Sequence, residues 1–122
     1  MAIEGKELAL ACARAAEEMQ AEDIRVLDLK GISTLTDYMV VCSGTSLPHL
    51  KAVIREMEKK IIEKHQVHSV NAEGNADSRW VVMDYIDVMV HVMHVELREL
   101  YALEDLWAAG KEVVWQEPDS KS

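Results

Sequence analysis

Apolar residues along this chain recur with two different periods, and the changes of period mark the elements. Leu8, Cys12, Ala15, Ala16 and Met19 fall at helical spacing, with Arg14, Glu17 and Glu18 between them, which predicts an amphipathic helix over residues 4 to 20. "IRVLDLKG" follows as a strand closed by Gly31, and "TDYMVVCSG" as a β-branched apolar strand ended by Ser43 and Gly44. A helix packed on a sheet is the expected arrangement.

The helical period returns in "GTSLPHLKAVIREMEKKIIEKH". Thr45 and Ser46 are candidate N-caps, and Pro48 stands in the first turn, where a missing N–H costs nothing. Leu50, Val53, Ile54, Met57 and Ile61 form its apolar stripe, the face expected to meet the sheet. A short strand around residues 68 to 71 and the polar loop "AEGNADS" lead to "WVVMDYIDVMVHVMH", two alternating strands. "ELRELYALEDLWAAG" then reads as a helix stopping at Gly110. Residues 1–110 are thus expected to form one domain and 111–122 a flexible tail.

With Tyr85 and Ile86 as the turn of that hairpin, Asp84 would pair with Asp87, Val82 with Met89 and Trp80 with His91, all on one face. Val81, Met83, Val88, Val90 and Val92 make the opposite, core face. The first face joins a large aromatic, a methionine and a histidine to two carboxylates. It is either a solvated turn, with aspartates bonding backbone amides and Trp80 covered by the last helix, or a docking face with an aromatic anchor for a basic protein.

Composition narrows the choice. Thirteen Lys and Arg against 22 Asp and Glu give a net charge of −9, which disfavours direct nucleic-acid binding and favours basic partners. No long apolar run suggests a membrane span, and no Arg-rich, acid-poor leader precedes the first helix. Cys12 and Cys42 lie in apolar segments, so a reducing compartment, the bacterial cytoplasm, is expected.

Candidate chemistry is incomplete. His91 and His94 are an odd number of residues apart on a strand and point to opposite faces, a poor zinc pair. "CSGTS" sits at a strand-to-helix turn but lacks the further glycines and lysine of a phosphate loop, so it reads as a helix cap. Asp84 and Asp87 could serve Mg²⁺, or Asp84 and His91 acid–base work, but a bare DxxD lacks the rest of a catalytic set. No metal, cofactor or enzymatic activity is expected.

In order and spacing, "TDYMVVCSGTS", "EGN", "WVVMDYIDVMVHVM" and "ELRELYALEDLW" closely resemble the ribosomal silencing factor S family, also called iojap-like proteins, from about Ile24 to Trp107. The resemblance implies a single α/β domain with a mixed five-stranded sheet flanked by helices, nucleotidyltransferase-like in shape without the catalytic set. It also implies a translational repressor that binds ribosomal protein L-fourteen on the large subunit and blocks joining of the small one.

Matching positions are Asp37, Ser43, Gly44 and Ser46, then Trp80, Asp84, Asp87 and His91, then Arg98, Tyr101, Glu104 and Trp107. By physical role, Trp80, Asp84, Tyr85, Asp87, Met89 and His91 are expected at the partner interface, and Gly44, Ser46, Leu103 and Trp107 in the scaffold. Arg98, Tyr101 and Glu104, on a helix beside the hairpin, either extend that surface or lock it in place. One position departs from the pattern: Ile86 stands where the family usually has glycine, and it resists the positive φ of a tight primed turn. The competing readings are self-association through the same face as a homodimer and a nucleotidyltransferase-like enzyme.

Overall fold

A computed structural model describes residues 5–32, 36–69, 71–73, 79–100 and 111–113. The elements run α1 (Gly5–Glu18), β1 (Glu22–Asp28), β2 (Tyr38–Gly44), α2 (Leu47–His65), β3 (Asn71–Glu73), β4 (Trp80–Asp84), β5 (Val88–His94), α3 (Val95–Leu100) and β6 (Lys111–Glu112). The strands form one mixed sheet in the order β3-β4-β5-β2-β1-β6. β2 and β5 pair in parallel at its centre and the other neighbours are antiparallel.

Five strands are present as expected, the short third one at Asn71–Glu73 and not around residues 68 to 71, and the two-residue β6 adds a short edge. Lys111 and Glu112 pair with Asp28 and Leu27, and the Val113 N–H donates to the Val26 carbonyl at 2.7 Å. Ordered sheet therefore continues past residue 110, where the flexible tail was expected to begin. Residues 114–122 lie outside those described.

α1 and α2 lie together on one face of the sheet. Leu8, Cys12 and Ala16 of α1 and Leu50, Val53, Met57 and Ile61 of α2 are buried against Val40, Cys42, Val88, Val90 and Val92. Removing this much apolar surface from water is the main force holding the layers together. The charged residues of each helix occupy the solvent side, where Glu18 pairs with Lys60 between the two helices. Both cysteines are buried outside any disulfide, and desolvation pushes the Cys12 thiol up to about 12, so it packs as a small apolar residue.

The start of α2 shows why "CSGTS" is a cap. Ser46 has extended backbone and its hydroxyl accepts from the His49 N–H at 3.2 Å, with proline within the first two helical positions. His49 Nδ1 accepts from the Thr45 N–H at 3.1 Å while Nε2 bonds the Met19 carbonyl at 2.8 Å, tying the end of α1 to the start of α2. Gly44 must be small: a Cβ there would stand 2.8 Å from Leu50 Cδ2 and 3.2 Å from Cγ. The last turn of β2 thus carries a helix, not a phosphate.

A candidate docking face on the outer sheet surface

The hairpin alternates as expected, with a different register. Val81, Met83, Val88, Val90 and Val92 are all buried on the helix side. Across the strands, however, Asp84 pairs with Met89, Val82 with His91 and Trp80 with Met93. The turn is centred one residue later than expected: the Tyr85 N–H donates to the Val88 carbonyl at 2.8 Å and Ile86 and Asp87 form the bend. The expected Asp84–Asp87 and Trp80–His91 pairings are therefore corrected, and no two carboxylates face one another across the ladder.

The turn is built around Ile86. It takes φ +79° and the Asp87 N–H donates to the Tyr85 carbonyl at 3.0 Å, the i to i+2 bond of a γ-turn with positive φ. A β-branched residue is a poor occupant of that region. Asp84 supports it, its Oδ1 accepting from the Ile86 N–H at 2.7 Å.

Asp87 and Tyr85 also change roles. Asp87 Oδ2 accepts from the Gly5 N–H at the start of α1, where negative charge suits the helix dipole. Its main-chain carbonyl accepts from the Asp37 and Tyr38 N–H groups at 3.2 and 3.0 Å, tying the turn to β2. Tyr85, expected at the partner interface, is only 3% exposed on the core side of the sheet. Among the described residues its hydroxyl has no hydrogen-bond partner, and burial raises its pKa.

On the opposite, outer face stand Trp80, Val82, Asp84, Met89 and His91, all half-buried. Trp80 and His91 are diagonal neighbours across the ladder. The indole N–H donates to His91 Nδ1 at 3.1 Å, and the rings tilt by 49° with centroids 6.0 Å apart. Accepting at Nδ1 places the proton of the neutral imidazole on Nε2. Desolvation pushes His91 down to about 4, so the ring is neutral at pH 7.

Leu27, Leu29, Met39 and Val41 continue this face as a second buried cluster on β1, β2 and the residue after β1. α3 starts directly after β5 and contacts both β5 and β2. His94 Nδ1 accepts from the Glu96 N–H at 3.1 Å, and Arg79 pairs with Glu96 at 3.4 Å, fixing where α3 leaves the sheet. The Arg98 side chain, Tyr101 and Glu104 lie outside the described residues, as do Leu103 and Trp107.

The two aspartates use carboxylate oxygens on different backbone amides, and His91 and His94 each accept a different donor. Among the described residues, no three His, Cys, Asp or Glu side chains are grouped to hold a metal ion, and no helix is long and apolar enough to cross a membrane. Sequence reasoning missed Gly5, whose N–H anchors Asp87, and His49, which bridges the two helices. The Gly5–Asp87 and His49–Met19 bonds carry no local signal, because their partners lie 30 or more residues apart.

Such a molecule is an α/β domain in which two helices, α1 and α2, fill one face of a mixed sheet. Comparison with known proteins says which. The family model described as "Ribosomal silencing factor during starvation" (RsfS) matches residues 2–122. The chain is 39% identical over 95 residues to the ribosomal silencing factor RsfS of Bacillus subtilis, spanning 78% of this chain and 80% of that one. Two crystal structures share the fold. A Chromobacterium violaceum protein has a TM-score of 0.79 and 31% identity, covering 95% of this chain and 91% of its own. A Bacillus halodurans protein has a TM-score of 0.76 and 34% identity, covering 90% and 99%.

The chain belongs to the ribosomal silencing factor family. Members of this family are non-catalytic, and the role that follows is association with the ribosome and repression of translation.

Proposed function

We propose that this chain represses translation in the cytoplasm by docking on ribosomal protein L-fourteen of the large subunit and sterically blocking the approach of the small one. The observation that supports it is the outer hairpin face, where Trp80 is held by its bond to His91 beside Met89 and Val82, with the Asp84 carboxylate at the end of the strand. A rigid aromatic with flanking apolar contacts suits an interface centre, and a carboxylate suits its rim. The net charge of −9 favours encounter with a basic partner.

In this reading Trp80, Met89 and His91 make the centre and Asp84 the rim. Arg98, Tyr101 and Glu104 are assigned to the same partner in this reading. Asp87 positions the turn against α1 and β2, and Tyr85 supports the strand from below. In this reading a nucleotidyltransferase-like shape is put to binding, and occlusion needs no chemistry beyond the contact itself.

Co-sedimentation with purified large subunits at two salt concentrations tests this. Trp80→Ala should cost about 2 kcal/mol of binding, and Asp84→Asn should chiefly flatten the salt dependence. A folded Trp80→Ala protein that binds as the parent does would refute the assignment. Affinity unchanged by salt, together with a dimer in solution, would instead favour self-association through this face.

A further inference from the structure

Ile86 is the feature of this hairpin that the folded state does not explain. It is β-branched, takes φ +79° and leaves 68% of its surface in water. Glycine would make the same turn without a side-chain clash. The strain is sustained from both sides. Asp84 Oδ1 holds the Ile86 N–H, the Tyr85 N–H bonds the Val88 carbonyl, and Asp87 is bound through its carbonyl to Asp37 and Tyr38 and through its carboxylate to Gly5. A turn so over-determined can hold an unfavourable residue, and strain of this kind concentrates where a segment must meet something.

We propose that Ile86 is an aliphatic anchor of the docking surface, inserted into an apolar pocket on the large-subunit protein that the outer face meets. The inference rests on the docking reading above and adds a contact residue to it, at the tip of the hairpin. Three observations carry it. Ile86 lies in the turn two residues after Asp84, at the tip of the hairpin that carries the outer face, and its side chain is exposed there. Isoleucine has few rotamers, so seating it in a pocket loses little side-chain entropy compared with a long flexible residue. The clamp at Asp84 and Asp87 fixes the backbone before binding, so the anchor is already oriented.

That pocket is therefore expected to be specific for a branched aliphatic side chain. Ile32, 52% exposed on the loop after β1, is the other large apolar side chain exposed among the described residues, and its backbone is not in the left-handed region. It serves as a control for general loss of apolar surface.

The test measures equilibrium binding of the full chain to purified large subunits for the parent, Ile86→Gly, Ile86→Asn and Ile32→Asn, with thermal unfolding in parallel. Glycine and asparagine both accept a left-handed backbone, and relief of strain opposes loss of the buried third of the side chain, so both Ile86 variants should stay folded. Each is expected to bind about ten-fold or more weakly, and Ile32→Asn less than about three-fold. Folded Ile86 variants that bind like the parent would overturn the anchor while leaving the docking reading intact, and so would an equal loss in Ile32→Asn. A parent chain that fails to bind large subunits would overturn both.

Discussion

His91 gives the fold a measurable dependence on pH. Its ring lies on β5 between Val41 of β2 and Val82 of β4, and its Nδ1 is occupied by the Trp80 N–H. A proton arriving at Nδ1 would leave two donors facing each other, and the surrounding apolar side chains offer the cation little solvation. Burial accordingly lowers the imidazole from its ordinary 6.5 to about 4. Above pH 6.5 the ring is neutral whether the chain is folded or not, and the folded state keeps its full stability. As the pH falls from 6.5 towards 4 the unfolded chain takes up the proton first, and stability is lost by about 3 kcal/mol in all. That is a large part of the total for a domain of this size.

Urea unfolding at intervals from pH 7.5 to pH 4.5 measures it. Carboxylates titrate in the lower half of that range, so the quantity that isolates His91 is the difference between the parent and His91→Gln, whose amide has no proton to gain. At pH 5 the parent should have lost about 2 kcal/mol more than the variant, relative to pH 7.5. Parallel stability profiles for the two proteins would refute the reasoning and show the ring to be hydrated.

Three further substitutions probe the scaffold. Gly44→Ala should destabilise by about 1–3 kcal/mol, because the new methyl meets the buried Leu50 side chain at 2.8 Å, and a loss below 0.5 kcal/mol in chemical unfolding would mean that α2 shifts freely. Tyr85→Phe should leave stability unchanged or raise it by about 1 kcal/mol, since the hydroxyl is buried without a partner among the described residues; clear destabilisation would show that it is bonded in solution. Asp87→Ala should cost about 0.5–2 kcal/mol and speed amide exchange at the start of α1, and an unaltered exchange rate at Gly5 would place its carboxylate elsewhere.

Much of this architecture could be read from the chain. Val81, Met83, Val88, Val90 and Val92 alternate with half-buried residues, and an alternation of two assigns a face whatever the exact pairing. The stripe of α2 was equally plain, because Leu50, Val53, Met57 and Ile61 follow the helical repeat and are the buried ones. Ser46 and Pro48 announced where that helix starts.

Register was not legible, for a specific reason. Primed hairpin turns favour residues that accept positive φ, and neither Tyr85-Ile86 nor Ile86-Asp87 supplies the usual glycine, so turn chemistry does not select the observed centre between Ile86 and Asp87 over one between Tyr85 and Ile86. That slip moved every cross-strand pair by two positions while leaving each residue on its face. It also carried Tyr85 from the core into the expected interface. The role of Asp87 was hidden for a different reason: its partner, the Gly5 amide, is 82 residues away, and backbone donors have no signature in a sequence. β6 was missed because two exposed residues, Lys111 and Glu112, carry no strand period.

The most direct test of silencing is subunit joining itself, followed by light scattering after large subunits, preincubated with this protein, are mixed with small subunits. Joining should fall in proportion to the large subunits occupied by the chain and recover with Trp80→Ala at the same protein concentration. Full joining by large subunits that demonstrably carry the bound protein would contradict occlusion.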